Sequence, residues 1–236
     1  MGNPNGPYPG RQLFVGQTAG GKPCFIYLVT GRSPESRQRV AVQVDNTVRM
    51  GPIGDAPYDP LRHYSAVRFD DATGTLAVSN GIQTDAVYET YKLLVNVGSP
   101  RTDSYLAAIM EGAQAEPDSY HTPRIAACVV PSLDGNGMDY FACIKAESAP
   151  AAAGRVPGEP GVLQGLSVYK GDLARPEATD PRAGLTALET SAATAEELAT
   201  YLYELSAAEY DGNDIRVCAV GGVWSASGWQ LAIKNR

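Results

Sequence analysis

Gln12-Leu13-Phe14-Val15-Gly16-Gln17 and Cys24-Phe25-Ile26-Tyr27-Leu28-Val29 are runs of apolar and β-branched residues, and Thr18-Ala19-Gly20-Gly21-Lys22-Pro23 between them is turn material. The pattern predicts a β-hairpin. Val40 to Val44 gives another short strand, followed by a loop of Gly, Pro, Asp and Tyr from Gly51 to Pro60. Ala66 to Phe69 and Leu76 to Val78 flank Asp70-Asp71-Ala72-Thr73-Gly74, a second hairpin signal, so the first 80 residues read as mainly β.

A helical pattern begins near Thr84, a candidate N-cap with Asp85 in the first turn, and Val87, Tyr91, Leu94 and Val95 recur on one face. A second helix is expected over about 102–113, with Tyr105, Ala108, Ile109 and Gly112 inward. Ile125 to Val130 and Tyr140 to Lys145 bracket Leu133-Asp134-Gly135-Asn136-Gly137, a third hairpin signal. Ser148 to Gly161 is rich in Ala, Pro and Gly without periodicity and reads as a surface loop. The strand from Leu163 to Tyr169, a helix from Ala195 to Leu205, and two closing strands over Arg216 to Val223 and Trp229 to Ile233 complete the pattern. Many strands with a few clustered helices define an α+β class, most simply two sheets face to face with helices outside.

At 236 residues with no evident linker, the chain is expected to form one domain, 1–236, with 1–10 a flexible tail. The start has neither a basic region nor an apolar stretch, and no window approaches the roughly 20 apolar residues that span a bilayer. A cytoplasmic protein with no membrane partner is expected. The four cysteines are widely spaced and only two histidines are present, a poor zinc set. They read as small apolar residues of strands, reduced in the cytoplasm although Cys128 and Cys143 share a hairpin.

A formal charge of −7 argues against a nucleic-acid polymer as partner. The charge is uneven: residues 1–68 hold eight Lys or Arg against four Asp or Glu. Arginine outnumbers lysine fourteen to five, which suits bidentate recognition of a small anion. Arg32, Arg37 and Arg39 follow a strand with Ser33 and Ser36 between them, a set suited to a phosphomonoester, although Arg39 starts the next strand and is set aside. Asn80-Gly81 is also a common hairpin dipeptide, and Tyr64 lies in Arg62-His63-Tyr64-Ser65 ahead of a strand. No G-x-x-x-x-G-K-[ST] loop, G-x-G-x-x-G after a strand or G-x-S-x-G elbow is present.

Three strings in order, Thr30-Gly31-Arg32-Ser33-Pro34-Glu35-Ser36-Arg37, Val78-Ser79-Asn80-Gly81-Ile82-Gln83-Thr84-Asp85 and His121-Thr122-Pro123-Arg124-Ile125-Ala126-Ala127, resemble the stand-alone, archaeal-type IMP cyclohydrolase family. The resemblance covers most of residues 11–145 and returns weakly at Gly228-Trp229-Gln230-Leu231-Ala232. It implies a four-layer αββα sandwich like that of N-terminal nucleophile hydrolases, without the N-terminal nucleophile. The implied activity closes 5-formamidoimidazole-4-carboxamide ribotide to IMP with loss of water, the last step of purine synthesis, without cofactor or metal.

Carried over residue by residue, the resemblance makes Tyr64, Arg32, Glu116 and Arg124 candidate catalytic groups. Arg32, Ser33, Arg37, Ser79, Asn80, Asp85 and Thr122 become candidate contacts of a small nucleotide substrate. Asp118 neighbours Glu116, and His121 stands where the family often has Asn. Two other classes stay open: a nucleotide-binding regulatory protein without turnover, and an N-terminal nucleophile type amidase processed at Cys24, which would destroy the first hairpin. Homo-oligomer formation is also open.

Overall fold

The computed structural model describes residues 2–147 and 149–236. Met1 and Ser148, assigned above to a tail and a loop, lie outside the described residues. The opening hairpin pairs β1 (Arg11–Gln17) with β2 (Pro23–Thr30). A single turn, α1 (Pro34–Arg37), leads into β3 (Arg39–Val44), β4 (Thr47–Pro52), β5 (Ser65–Phe69) and β6 (Leu76–Ser79). Two helices follow, α2 (Gln83–Asn96) and α3 (Asp103–Ala113), then β7 (Arg124–Pro131), β8 (Met138–Lys145), β9 (Ala152–Val156) and β10 (Val162–Ser167). A ribbon of β11 (Tyr169–Gly171) and β12 (Pro176–Ala178) precedes β13 (Thr186–Glu189) and α4 (Ala195–Leu205). A second ribbon, β14 (Glu209–Tyr210) with β15 (Asn213–Asp214), opens onto β16 (Arg216–Ser225) and β17 (Gly228–Asn235).

The result is an α+β protein with two major antiparallel sheets and, among the described residues, four α-helices. One sheet has the order β13-β10-β1-β2-β16-β17, the other runs β3 to β9 in sequence order. Their central strands are apolar on both faces because each face is covered, which explains why these segments read as unbroken apolar runs. In β2, Phe25, Tyr27 and Val29 point to a core shared with the other sheet, whereas Cys24, Ile26 and Leu28 meet Leu198, Ala199 and Leu202 of α4. In β7, Ile125, Ala127 and Val129 enter the shared core; Ala126, Cys128 and Val130 meet Val87 and Tyr91 of α2 and Leu106 and Met110 of α3. Each fully buried Leu, Ile, Val or Phe contributes roughly 1.5–3 kcal/mol. Polar contacts join the sheets at one edge, where the Asn235 side chain accepts from Ala41 N–H and donates to Ala41 O, both at 3.0 Å.

Several expectations need correction. Strand β4 was missed because Thr47–Pro52 ends in the Gly-Pro pair that looked like loop; Asp45, at a positive φ of 50°, makes the turn before it. Within the expected 148–161 loop, Ala152–Val156 is an edge strand whose small residues carry little pattern. Thr84 is not the N-cap of α2: that position is Ile82, and the Thr84 hydroxyl donates to Gly81 O at 3.0 Å. The inner side of α3 is Leu106 and Met110, with Tyr105, Ala108 and Gly112 exposed, so the face is rotated by about one residue. Residues 3–10 do not project as a tail: Asn3 donates to Gln12 and Ser206, while Asn5 and Tyr8 are buried. The strand expected over 163–169 breaks at Val168, between β10 and β11.

All four cysteines are free and buried, and Cys128 pairs across the hairpin with Phe141, Cys143 with Ala126. Burial pushes the thiols of Cys24, Cys143 and Cys218 up to about 12, so none is a ready thiolate. Among the described residues no helix is long and apolar enough to cross a membrane.

Gly221 of β16 lies directly under α4, where a Cβ would stand 2.2 Å from Ala195 O and 2.8 Å from Ala199 N. Gly221→Ala is therefore expected to lift the helix and cost about 1–3 kcal/mol. Gly112→Ala, with nothing within 4 Å of its Cβ, should instead stabilise by roughly 0.5–1 kcal/mol. Denaturant unfolding of both variants checks the pair; equal shifts would contradict the packing.

Candidate active site

Strand ends from both sheets meet around a cleft of about 530 Å³. The start of β1 supplies Arg11, the end of β2 supplies Thr30, and the following loop supplies Arg32 and Ser33. Arg39 opens β3, Leu61 and Arg62 come from the loop before β5, and Glu116, Asp118 and Tyr120 from the loop before β7. Tyr8, Tyr169 and Tyr210 complete an aromatic flank. Four arginines thus face three carboxylates, Glu116, Asp118 and Asp211.

Glu116 is the centre of the polar floor. Its Oε1 accepts from Arg11 Nη2 at 2.8 Å, Arg124 Nη1 at 3.0 Å and Asn80 Nδ2 at 3.3 Å, and its side chain is only 2% exposed. Arg11 belongs to one sheet and Arg124 to the other, so this carboxylate ties the sheets together at the cleft. Burial alone lowers the Arg11 pKa, but Glu116, Tyr64, Tyr27 and Tyr169 outweigh it and hold Arg11 above the ordinary arginine value. Arg11 Nε, Arg39 Nη1 and Arg124 Nε are buried without a hydrogen-bond partner, three donors left over in one neighbourhood.

Behind the wall, Asn80 uses its whole hydrogen-bonding capacity within the protein. Its Oδ1 accepts from Ile125 N at 2.8 Å and Gln83 Nε2 at 3.0 Å, and Nδ2 also donates to Pro123 O at 2.9 Å. Gly81 is required beside it, since a Cβ there would lie 2.1 Å from Arg124 Nη1. The Asn80-Gly81 pair therefore joins β6 to α2 rather than closing a hairpin. Tyr64, 6% exposed, shares a 2.8 Å hydroxyl contact with Tyr27. Thr122 bonds Asp118 Oδ2 at 2.6 Å and the hydroxyl of Tyr169, whose pKa burial pushes up to about 12.

The sequence-derived residues thus fall into three places. Arg32, Ser33 and Glu116 line the cleft; Tyr64, Asn80, Thr122 and Arg124 form the layer behind it, where the Ser79 hydroxyl donates to Gly81 O at 3.1 Å. Arg37 and Asp85 lie elsewhere. Arg37 turns back to the Arg32 and Gly31 carbonyls and borders a separate hollow, and Asp85 pairs with Arg68 at 3.3 Å on the surface. Arg32 is itself engaged: Nη1 donates to Leu173 O at 2.7 Å, Nη2 to the Tyr120 hydroxyl at 3.0 Å, and the rings of Tyr8, Tyr120 and Tyr210 surround it within 5.1–5.4 Å. Sequence reasoning missed Arg11, Tyr8 and Tyr169, and set aside Arg39, which lines the cleft. A lone arginine heading an apolar strand was the available signal for Arg11; Tyr8 was hidden in the supposed tail. His121 has a positive φ of 48° and pairs with Glu147 at 2.9 Å, exposed and outside the cleft wall.

Glu116→Ala leaves two buried guanidinium groups without their shared acceptor and is expected to destabilise the fold by about 3–5 kcal/mol. Glu116→Gln, which keeps one carbonyl acceptor, should cost clearly less. Urea unfolding midpoints test this, and near-wild-type stability of the alanine variant would contradict the central role of the carboxylate.

The sequence has relatives of known name. A family model described as "IMP cyclohydrolase-like protein" matches residues 8–226, from Tyr8 in the cleft to just past β16. The chain is 36% identical over 122 residues to the IMP cyclohydrolase of Methanocaldococcus jannaschii, covering 51% of this chain and 55% of that protein. It is 34% identical over 121 residues to the IMP cyclohydrolase of Methanococcus aeolicus, 50% of this chain and 56% of that one. The match to the IMP cyclohydrolase of Methanococcus maripaludis is 32% over 166 residues, 69% of this chain and 75% of that protein. The chain thus spans little more than half the length of the first two relatives. With every strand of the two sheets except β17, and every cleft-forming segment, inside the matched span, the chain belongs to the IMP cyclohydrolase-like protein family.

Proposed function

We propose that this protein is an IMP cyclohydrolase, closing 5-formamidoimidazole-4-carboxamide ribotide to IMP in the cytoplasm, on a four-layer αββα scaffold like that of N-terminal nucleophile hydrolases. The observation that carries this reading is the arginine-lined cleft with buried, unpartnered donors on Arg11 and Arg39, in a chain of this family. Phosphate oxygens are the natural acceptors for such donors. Cys24, buried within β2, offers no terminal nucleophile, which disfavours amidase chemistry.

In the reaction the carboxamide nitrogen attacks the formyl carbon, a hydroxylated ring intermediate forms, and water leaves as the ring C=N bond is made. Both groups belong to one molecule, so the protein must hold the reactive rotamer, stabilise the developing oxyanion and move protons. Arg39 and Arg62 take the phosphate, with Ser33 at the rim. Glu116, held by Arg11 and Arg124, accepts the carboxamide nitrogen's proton and returns it to the oxygen. Tyr64, hydrogen-bonded to Tyr27, donates the second proton to the departing oxygen and is restored by the proton that the formamido nitrogen releases as the C=N bond forms. Arg32 bridges the 173–174 carbonyls to Tyr120 and closes the side of the cleft.

Incubating the protein with the formamido ribotide and following IMP by absorbance tests the activity; ligand binding without turnover would instead identify a regulatory protein. Arg39→Ala should raise KM roughly ten- to hundredfold, the loss of a charged contact worth about 1.5–3 kcal/mol, and Arg37→Ala far less. Tyr64→Phe should lower kcat on the order of a hundredfold with KM little changed, and Tyr27→Phe should cost much less. Steady-state kinetics of the four variants decide. A Tyr64→Phe enzyme with wild-type kcat would move proton donation to another group.

A further inference from the structure

The loop before β5 contains a hydrogen-bonded knot whose key acceptor is an imidazole. His63 is 5% exposed, and its Nδ1 accepts from Asp59 N–H at 2.9 Å while its own N–H donates to Asp59 O at 2.7 Å. The Asp59 carboxylate is committed elsewhere in the same turn, accepting from Leu61 N–H at 2.9 Å and from Arg62 at 2.6 Å. Tyr58 closes the knot: its hydroxyl donates to His63 O at 3.1 Å and its ring lies 5.5 Å from the imidazole. Leu61 and Arg62 of this turn line the cleft, and the next residue is Tyr64.

We infer that His63 is a positioning residue of the cleft: with Nδ1 unprotonated it holds the Asp59–Tyr64 turn that delivers Arg62 to the cleft wall and Tyr64 to Tyr27. Its effect on turnover rests on the cyclohydrolase reading above. An Nδ1 that accepts a hydrogen bond requires the neutral tautomer with its proton on Nε2. Protonation would set a second N–H against the Asp59 N–H and leave that amide without an acceptor. The charged groups facing the ring are Asp59 and Arg62 on its own loop and Arg39 on β3. Burial lowers the His63 pKa from its ordinary value, Asp59 opposes this, and Arg39 and Arg62 add to the lowering. The sign follows from linkage: the knot is intact above the unfolded histidine value of about 6.5 and is lost as pH falls through the lower folded-state value.

The test is the pH profile of kcat/KM for the wild type and for His63→Asn, together with the histidine ring signals and amide exchange by NMR; the chain has only two histidines. Asparagine places an oxygen near the Nδ1 position and does not titrate. As pH falls below about 6.5, wild-type kcat/KM should drop along the same titration curve as the ring signal that His63→Asn removes, whereas the variant should stay within about threefold of its own value at pH 7.5. Amide protection at Asp59 and His63 should drop over the same interval in the wild type only. An acid limb unchanged in His63→Asn, or a His63 signal titrating at or above about 6.5, would overturn the inference. Should the variant not fold, loss of Asp59 protection in step with the wild-type His63 signal supports the inference, and protection independent of that signal overturns it. Absence of turnover at every pH would refute the cyclohydrolase reading by itself, and the same amide protection would then decide the role of His63.

Discussion

A single carboxylate, Glu116, is shared by guanidinium groups rooted in two different sheets, and the cleft takes its shape from that arrangement. Removing three charged groups from water costs several kcal/mol per ion, a penalty met only where the geometry is close and remaining donors find acceptors. Here the geometry is close, yet Arg11 Nε and Arg124 Nε find none. A scaffold optimised for stability alone would place apolar side chains here, as it does along the rest of the shared core. Of these ions Arg11 and Glu116 line the cleft, and Arg124 holds Glu116 from behind.

Packing decides where such a site can be. The central strands are sealed on both faces by apolar side chains, so their middle residues have no room for chemistry. Only strand ends and the loops beyond them can carry polar groups, and Arg11, Thr30, Arg39 and Arg124 all occupy terminal positions of their strands. Close approaches preserve that geometry. Gly81 makes space for Arg124, and the Asn235 amide clasps Ala41 near the start of β3, two residues from Arg39.

What was legible in the sequence follows the strength of local signals. The β1–β2 and β7–β8 hairpins and α4 carry unbroken apolar runs or a clean helical period, and their positions were readable to within a residue or two. Strand β9, built from Ala-Ala-Gly-Arg-Val, and the Gly-Pro end of β4 have compositions that mimic loops, and only tertiary pairing makes them strands. For the candidate site, the quoted strings and their neighbours border one cleft: Arg32, Ser33 and Glu116 line it, and Tyr64, Asn80 and Arg124 stand behind it. Arg11 escaped notice, and Arg39 was set aside, because an arginine at a strand start has no sequence mark of burial. Arg37 illustrates the reverse, since spacing alone cannot show that a one-turn helix points it away.

The most direct test of the account is a crystal structure of the protein soaked or grown with IMP. The account predicts the phosphate within hydrogen-bonding distance of Arg39 and the purine ring in the same cleft, toward Glu116 and the Tyr27–Tyr64 pair. A nucleotide bound in the hollow beside Arg37, with the cleft between the sheets left to solvent, would contradict it.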